Sequence, residues 1–133
     1  MRLLPRVLGA LALGAAVAVP AQEQELRADA AGAVRLLVQS SPLAGFRYGE
    51  AAALWPLLRA GDALELVREP DNPFDANAVR VEWRGHKLGY VPRRDNAALA
   101  WGMDRGMALR ARVSRLSEHR NPARRIEFEV FAE

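Results

Sequence analysis

The sequence predicts a mainly β protein, a small closed or partly open six-stranded β-barrel with one or two short helices. Three observations lead there. From about residue 33 onward, short segments alternate apolar and polar residues, the period of two that suits half-buried strands. Clusters of Gly, Pro, Asn and Asp separate these segments. One stretch, following Pro92, carries apolar residues at clear helical spacing. Many short strands leave exposed edges unless the sheet rolls up, and a barrel removes most of those edges.

Ala33–Gln39 reads as the first strand, ended by Ser40-Ser41-Pro42. Glu50–Arg59 has helical composition, which Pro56 must break or kink. After a turn at Gly61-Asp62, residues Asp62–Glu69 place Leu64 and Leu66 on one side and Glu65 on the other. Pro70–Ala76 is a loop rich in Asx residues and proline. Ala78–Trp83 sets Val79, Val81 and Trp83 opposite Arg80 and Glu82, Arg84-Gly85 turns the chain, and His86–Val91 returns. This pair is the best hairpin signal in the chain. Pro92 begins a helix carrying Asp95, Ala98, Leu99 and Met103 at helical spacings, and Gly102 and Gly106 bracket its end. Met107–Leu116 and Arg125–Ala132 supply two more strands, joined through His119–Ala123. In the last strand Ile126, Phe128 and Val130 face one way, and Glu127 and Glu129 the other. Trp55, Trp83 and Trp101 read as core residues.

The N-terminus has the three parts of a secretory signal. Met1–Arg6 carries Arg2 and Arg6 and no acid, Val7–Val19 contains only Val, Leu, Gly and Ala, and Pro20-Ala21 precedes a polar stretch. Val19 and Ala21 suit a cut before Gln22, and a cut after Ala18 also fits. The apolar run of about 13 residues is too short to span a bilayer easily. The chain thus divides into a signal peptide over residues 1–21, a flexible leader over 22–32 and one domain over 33–133. The expected location is periplasmic or secreted, with no stable membrane span after cleavage.

The 133 residues carry a net charge of +3, which falls to +1 once Arg2 and Arg6 are removed. Total charge therefore does not make the domain a strongly basic binder, although Lys87 is its one lysine among many arginines, and arginine suits bidentate phosphate contacts. Arg110, Arg112, Arg120, Arg124 and Arg125 form either a basic binding face or an ordinary solvated one. Cysteine is absent, which excludes disulfides, thiol catalysis and cysteine-type zinc sites. With His86 and His119 the only histidines, and no P-loop, zinc-ligand or G-x-S-x-G pattern, no catalytic constellation appears and no cofactor is implied. Asp71, Asp75, Asn77 and Glu82 have calcium-loop spacing, but Pro73 and Ala76 occupy positions where a ligand and a glycine are needed.

Three segments read together carry a family resemblance. They are Gly45-Phe46-Arg47-Tyr48, then Arg68-Glu69-Pro70 running through Asn72-Pro73-Phe74-Asp75-Ala76-Asn77-Ala78-Val79-Arg80-Val81, and finally Leu88-Gly89-Tyr90-Val91-Pro92-Arg93. In order and spacing they resemble the HIRAN domain, the DNA-end-binding domain of proteins of the helicase-like transcription factor type. The resemblance implies an OB-like barrel that captures single-stranded DNA at a free 3′-hydroxyl. Carried over by position, it singles out Arg47, Tyr48, Phe74, Asp75, Tyr90 and Arg93 or Arg94. Two departures stand out. Gly49 occupies the place of a second aromatic, and Phe74 replaces a tyrosine, keeping a stacking face but losing a hydroxyl.

Such a pocket needs flat faces for a base, cations for phosphate and an acceptor for the sugar hydroxyl. Tyr48, Phe74 and Tyr90 supply faces, Arg47 with Arg93 or Arg94 supplies charge, and Asp75 supplies the acceptor. Structural readings stand beside these. Asn72, Asp75 and Asn77 fit as turn caps, and Phe74 and Tyr90 fit as core residues. Two partner classes follow: single-stranded DNA or another nucleic acid, or else a small ligand or envelope protein held by the same barrel.

Overall fold

The computed structural model describes residues 25–28 and 34–133. Seven strands form one antiparallel sheet: β1 (Glu25–Ala28), β2 (Val34–Pro42), β3 (Ala63–Arg68), β4 (Val79–Trp83), β5 (His86–Tyr90), β6 (Leu109–Leu116) and β7 (Ile126–Ala132). Their spatial order is β1-β2-β7-β6-β3-β4-β5. Two helices accompany them, the single turn α1 (Ala51–Leu54) and α2 (Arg93–Asp104).

The six expected strands are β2 to β7. β1 is an addition, formed by four of the residues expected in a loose leader and paired with Val34–Leu37 of β2. The signal-peptide reading of residues 1–21 lies outside the described residues. β2 also runs three residues past the expected stop, through Ser40, Ser41 and Pro42, which pair with Glu129, Phe128 and Glu127. Pro42 is tolerated because β1 pairs only with the first part of β2, so the proline sits on an open edge where its missing N–H breaks no ladder.

The interior is apolar. Val79, Val81 and Trp83 from β4 and Ile126, Phe128 and Val130 from β7 are buried with Leu64, Leu88 and Val113, as their alternation requires. The Arg84-Gly85 turn has φ of 50° and 83°, the left-handed pair that a two-residue hairpin needs. Pro56 ends α1 as expected, and the chain continues as a 3-10 turn over Trp55–Leu57. The three tryptophans separate. Trp83 is buried, whereas Trp55 is half-buried against Phe46 with ring centroids 6.1 Å apart at 70°. Trp101 corrects the core expectation, being 57% exposed with the Arg105 guanidinium 3.9 Å above its ring. The inner face of α2 is instead formed by Asn96, Leu99 and Ala100.

One backbone pair draws β5, at one edge of the sheet, to the chain that leaves the open end of β2. Beyond Pro42 the chain reaches β5, where Ala44 N–H donates to the Tyr90 carbonyl and Tyr90 N–H to the Ala44 carbonyl, each at 2.9 Å. Gly89 permits this approach, since a Cβ there would lie 2.2 Å from the Ala44 oxygen. The seam also fixes the candidate site, because the segment that crosses it continues directly into the turn bearing Arg47 and Tyr48.

Candidate functional site

A cleft of about 680 Å³ opens where the β3–β4 loop, the end of β5, the start of α2 and the Phe46–Tyr48 turn converge. This is within the usual range for a small-ligand site. Tyr48, Phe74, Asp75, Tyr90 and Arg93 line it, five of the seven residues singled out from the sequence. Asn72, Lys87 and Asn96 also line it. Arg47 and Arg94 are not among its lining residues. Arg47 borders a small hollow on the other side of Tyr48, and Arg94 lines a separate groove.

The loop side of the cleft is held by its own hydrogen bonds. Asn72 Oδ1 accepts from the Phe74 N–H at 2.9 Å, and Asp75 Oδ1 accepts from the Asn77 N–H at 2.9 Å. These successive Asx turns realise the capping role open to Asn72 and Asp75. Asp75 Oδ2 accepts from Asn96 Nδ2 at 2.8 Å, and Arg93 Nε stands 3.6 Å from it. The Asn77 amide, then Asn96, hold the Asp75 carboxyl below the usual carboxylate range, so it is an anion at neutral pH. A carboxylate oxygen can accept more than one hydrogen bond, so Asp75, which lines the cleft, keeps acceptor capacity.

Glu69 sits behind this loop as its anchor. Its Oε1 accepts from Asn72 Nδ2 at 2.9 Å and from the Tyr90 hydroxyl at 2.8 Å, while Oε2 accepts from Arg80. Burial pushes its carboxyl up, but the hydrogen bonds from Asn72, Tyr90 and Arg80 outweigh that and hold it below its ordinary range. Arg68 fastens the same corner to α2, with Nε and Nη2 donating to Asp104 at 2.9 and 3.0 Å. The charged residues of the Arg-Glu-Pro segment are thus structural supports.

The aromatic residues divide into two kinds. Tyr48 is 87% exposed and Phe74 is 84% exposed, so both rings offer faces to solvent and the core reading of Phe74 is overturned. Tyr90 is half-buried, its hydroxyl is committed to Glu69, and Lys87 Nζ lies 4.6 Å from its ring centroid. It forms a fixed wall with a cation over one face. Arg93 donates from Nη2 to the Phe74 carbonyl at 2.6 Å, which ties it to the loop while its side chain stays 72% exposed.

Gly49 explains one departure noted in the sequence. A Cβ there would lie 2.7 Å from the Leu88 carbonyl and 2.9 Å from that of Lys87, so no side chain fits after Tyr48 without moving the turn. Asn96 is the most informative residue missed by motif reading. It is 2% exposed and one turn before Leu99 and Ala100, and a polar residue on the apolar face of a helix was the available signal. Among the described residues no group of His, Cys, Asp or Glu is placed to hold a metal ion.

The HIRAN domain model matches residues 36–133. The chain belongs to the HIRAN domain family. Over 48 residues it is 42% identical to the helicase-like transcription factor of Oryctolagus cuniculus and 40% identical to that of Mus musculus. Those alignments span 35% of this chain but only 5% of each relative. In structure it is similar to a crystallised protein from Lactobacillus plantarum, with a TM-score of 0.65 and 32% identity, covering 72% of this chain and 92% of the other. It is also similar to the HIRAN domain of human HLTF, with a TM-score of 0.58 and 23% identity, covering 71% and 73%. The mainly β fold with two short helices is that of the family.

Proposed function

We propose that this HIRAN domain is a non-catalytic binding module for single-stranded DNA ends bearing a free 3′-hydroxyl. The observation that carries the reading is the cleft itself, where two solvent-facing rings, Tyr48 and Phe74, stand near an anionic acceptor, Asp75. The rings stack on the terminal bases, each stack contributing about 1–3 kcal/mol. Lys87 and Arg93 meet phosphate, and Asp75 accepts from the terminal hydroxyl while repelling a terminal phosphate. The role of Asp75 is proposed on top of its turn-capping bond, through oxygen lone pairs that bond leaves free. We further propose that the domain acts after export, in the periplasm or outside the cell, on the strength of the apolar N-terminal run and the small residues that follow it.

Fluorescence anisotropy with matched oligonucleotides, one ending in a 3′-hydroxyl and its twin in a 3′-phosphate, tests the reading. The expected result is a preference for the hydroxyl of about tenfold, consistent with one close like-charge contact of ~1–4 kcal/mol in a partly solvated site. Asp75→Asn keeps an acceptor for the Asn77 amide but removes the charge, and is expected to erase the preference. Equal binding of both oligonucleotides by the unaltered protein would reduce Asp75 to a turn cap.

A further inference from the structure

Beyond Tyr48 the surface continues as a second depression. A groove of about 510 Å³ runs from the Pro42–Ala44 segment past the start of α2 to the β6–β7 connection. Ala44 lines both this groove and the cleft. The small hollow beside Arg47 shares Tyr48 with the cleft and shares Asn121 and Ala123 with the groove. The three depressions therefore adjoin one another around the Ala44–Tyr48 segment, the same segment that crosses the seam.

The groove differs from the cleft in chemistry. Arg94, Arg115 and Arg124 line it, with Glu127 as its one acid, and no Phe, Tyr or Trp contributes to its walls. Arg115 approaches Glu127 only to 3.8 Å and Arg94 approaches Asp95 only to 3.6 Å, and both arginine side chains are at least 70% exposed. Among the described residues the side chains of Arg124 and Arg47 make no hydrogen bond or ion pair. These are cations without strong internal partners, in an open channel whose one aromatic ring is that of His119. Such a channel suits a sugar–phosphate backbone rather than bases, and guanidinium groups match phosphate oxygens in paired hydrogen bonds.

We propose that this groove is a second subsite, which takes the phosphates of the nucleotides immediately upstream of those held in the cleft. The proposal rests on the reading that the cleft receives a strand terminus. It assigns a division of labour between the two depressions. The cleft, with Asp75 offsetting one of its two cations, recognises the end. The groove supplies length-dependent, sequence-independent and salt-sensitive affinity.

The test compares a dinucleotide with an octanucleotide of the same composition, both with a free 3′-hydroxyl, by NMR titration of the protein at low and moderate salt. The octanucleotide is expected to bind at least tenfold more tightly. Arg115→Ala with Arg124→Ala is expected to remove that gain, to leave dinucleotide binding unchanged, and to lower the salt slope by about 1.4, at ~0.7 per lost contact with single-stranded phosphate. Arg115→Lys with Arg124→Lys should restore most of the salt slope, because charge is kept. Dinucleotide binding with no octanucleotide gain would overturn the groove and leave the cleft reading intact. Equal weakening of both ligands by the alanine pair would also overturn it. Failure of both ligands to bind the unaltered protein would remove the cleft reading and the groove with it.

Discussion

The two rims of the cleft are built in opposite ways. On the β3–β4 side, nearly every polar group is committed. Asn72 and Asp75 hold backbone amides, Asn96 holds Asp75, Glu69 holds Asn72 and Tyr90, and Arg93 reaches back to the Phe74 carbonyl. On the Phe46–Tyr48 side, Arg47 and Tyr48 project from a turn fixed only through its backbone and the buried Phe46. Polar motif residues in this protein serve first to shape a loop, and the groups left with freedom to bind are the exposed rings, the loosely partnered cations and the acceptor capacity that Asp75 keeps beside its loop bonds. Phe74 joins the two regimes, because its backbone is pinned at both N–H and carbonyl while its ring stays in solvent.

The largest effect is expected at the seam that positions both rims. Gly89→Ala would drive a methyl group against the Ala44 carbonyl, and backbone cannot yield as a side-chain tip does. Denaturant unfolding should show a loss of about 3 kcal/mol, at the upper end for overpacking a tight site. A loss under about 0.5 kcal/mol, the range of ordinary surface changes, would mean that the seam is pliable.

Next in size is the committed rim. Asn96→Ala leaves Asp75 with one bond fewer and opens a small void beside the loop, and should destabilise by about 1–2 kcal/mol. Its acid sensitivity has a defined sign. The carboxyls of Glu69 and Asp75 are held below their ordinary ranges, so the unfolded chain binds more protons than the folded one as pH falls. Their contribution is complete above the ordinary unfolded values of about 4 and is lost as pH drops below them. Thermal unfolding between neutral pH and about pH 3 should therefore show a steep decline that flattens in Glu69→Gln. An unchanged decline in that variant would place the acid sensitivity elsewhere.

The smallest effect on stability is expected on the free rim. Tyr48→Ala removes a ring that contributes little to the core, and unfolding should shift by less than about 0.5 kcal/mol.

Much of this was legible in the sequence, for particular reasons. β4 carries clean alternation and a Gly turn leads from it into β5, and the placement of both agrees with expectation to within one residue. Pro56 stopped a helix where steric exclusion said it must. What escaped was set by contacts distant in the chain. The continuation of β2 through Pro42 depends on which edge is open, and the exposure of Trp101 depends on which face of α2 meets the sheet. The site divides similarly. The segments quoted from the sequence converge on one cleft, but sequence order could not tell that Arg94 turns away from it while Asn96 enters. Nor could it show that Glu69 and Arg68, in the most conspicuous part of the motif, are supports behind the cleft wall.

The most direct test of the contrast between the rims pairs unfolding with oligonucleotide affinity in Phe74→Ala. The ring is exposed and its backbone bonds survive the change, so stability should stay within about 0.5 kcal/mol of the unaltered protein. Affinity for a single-stranded oligonucleotide with a free 3′-hydroxyl should fall about tenfold, the loss of one stacking contact. The opposite result, a destabilised protein that binds the oligonucleotide as before, would contradict the account by making Phe74 part of the fold and not of the site.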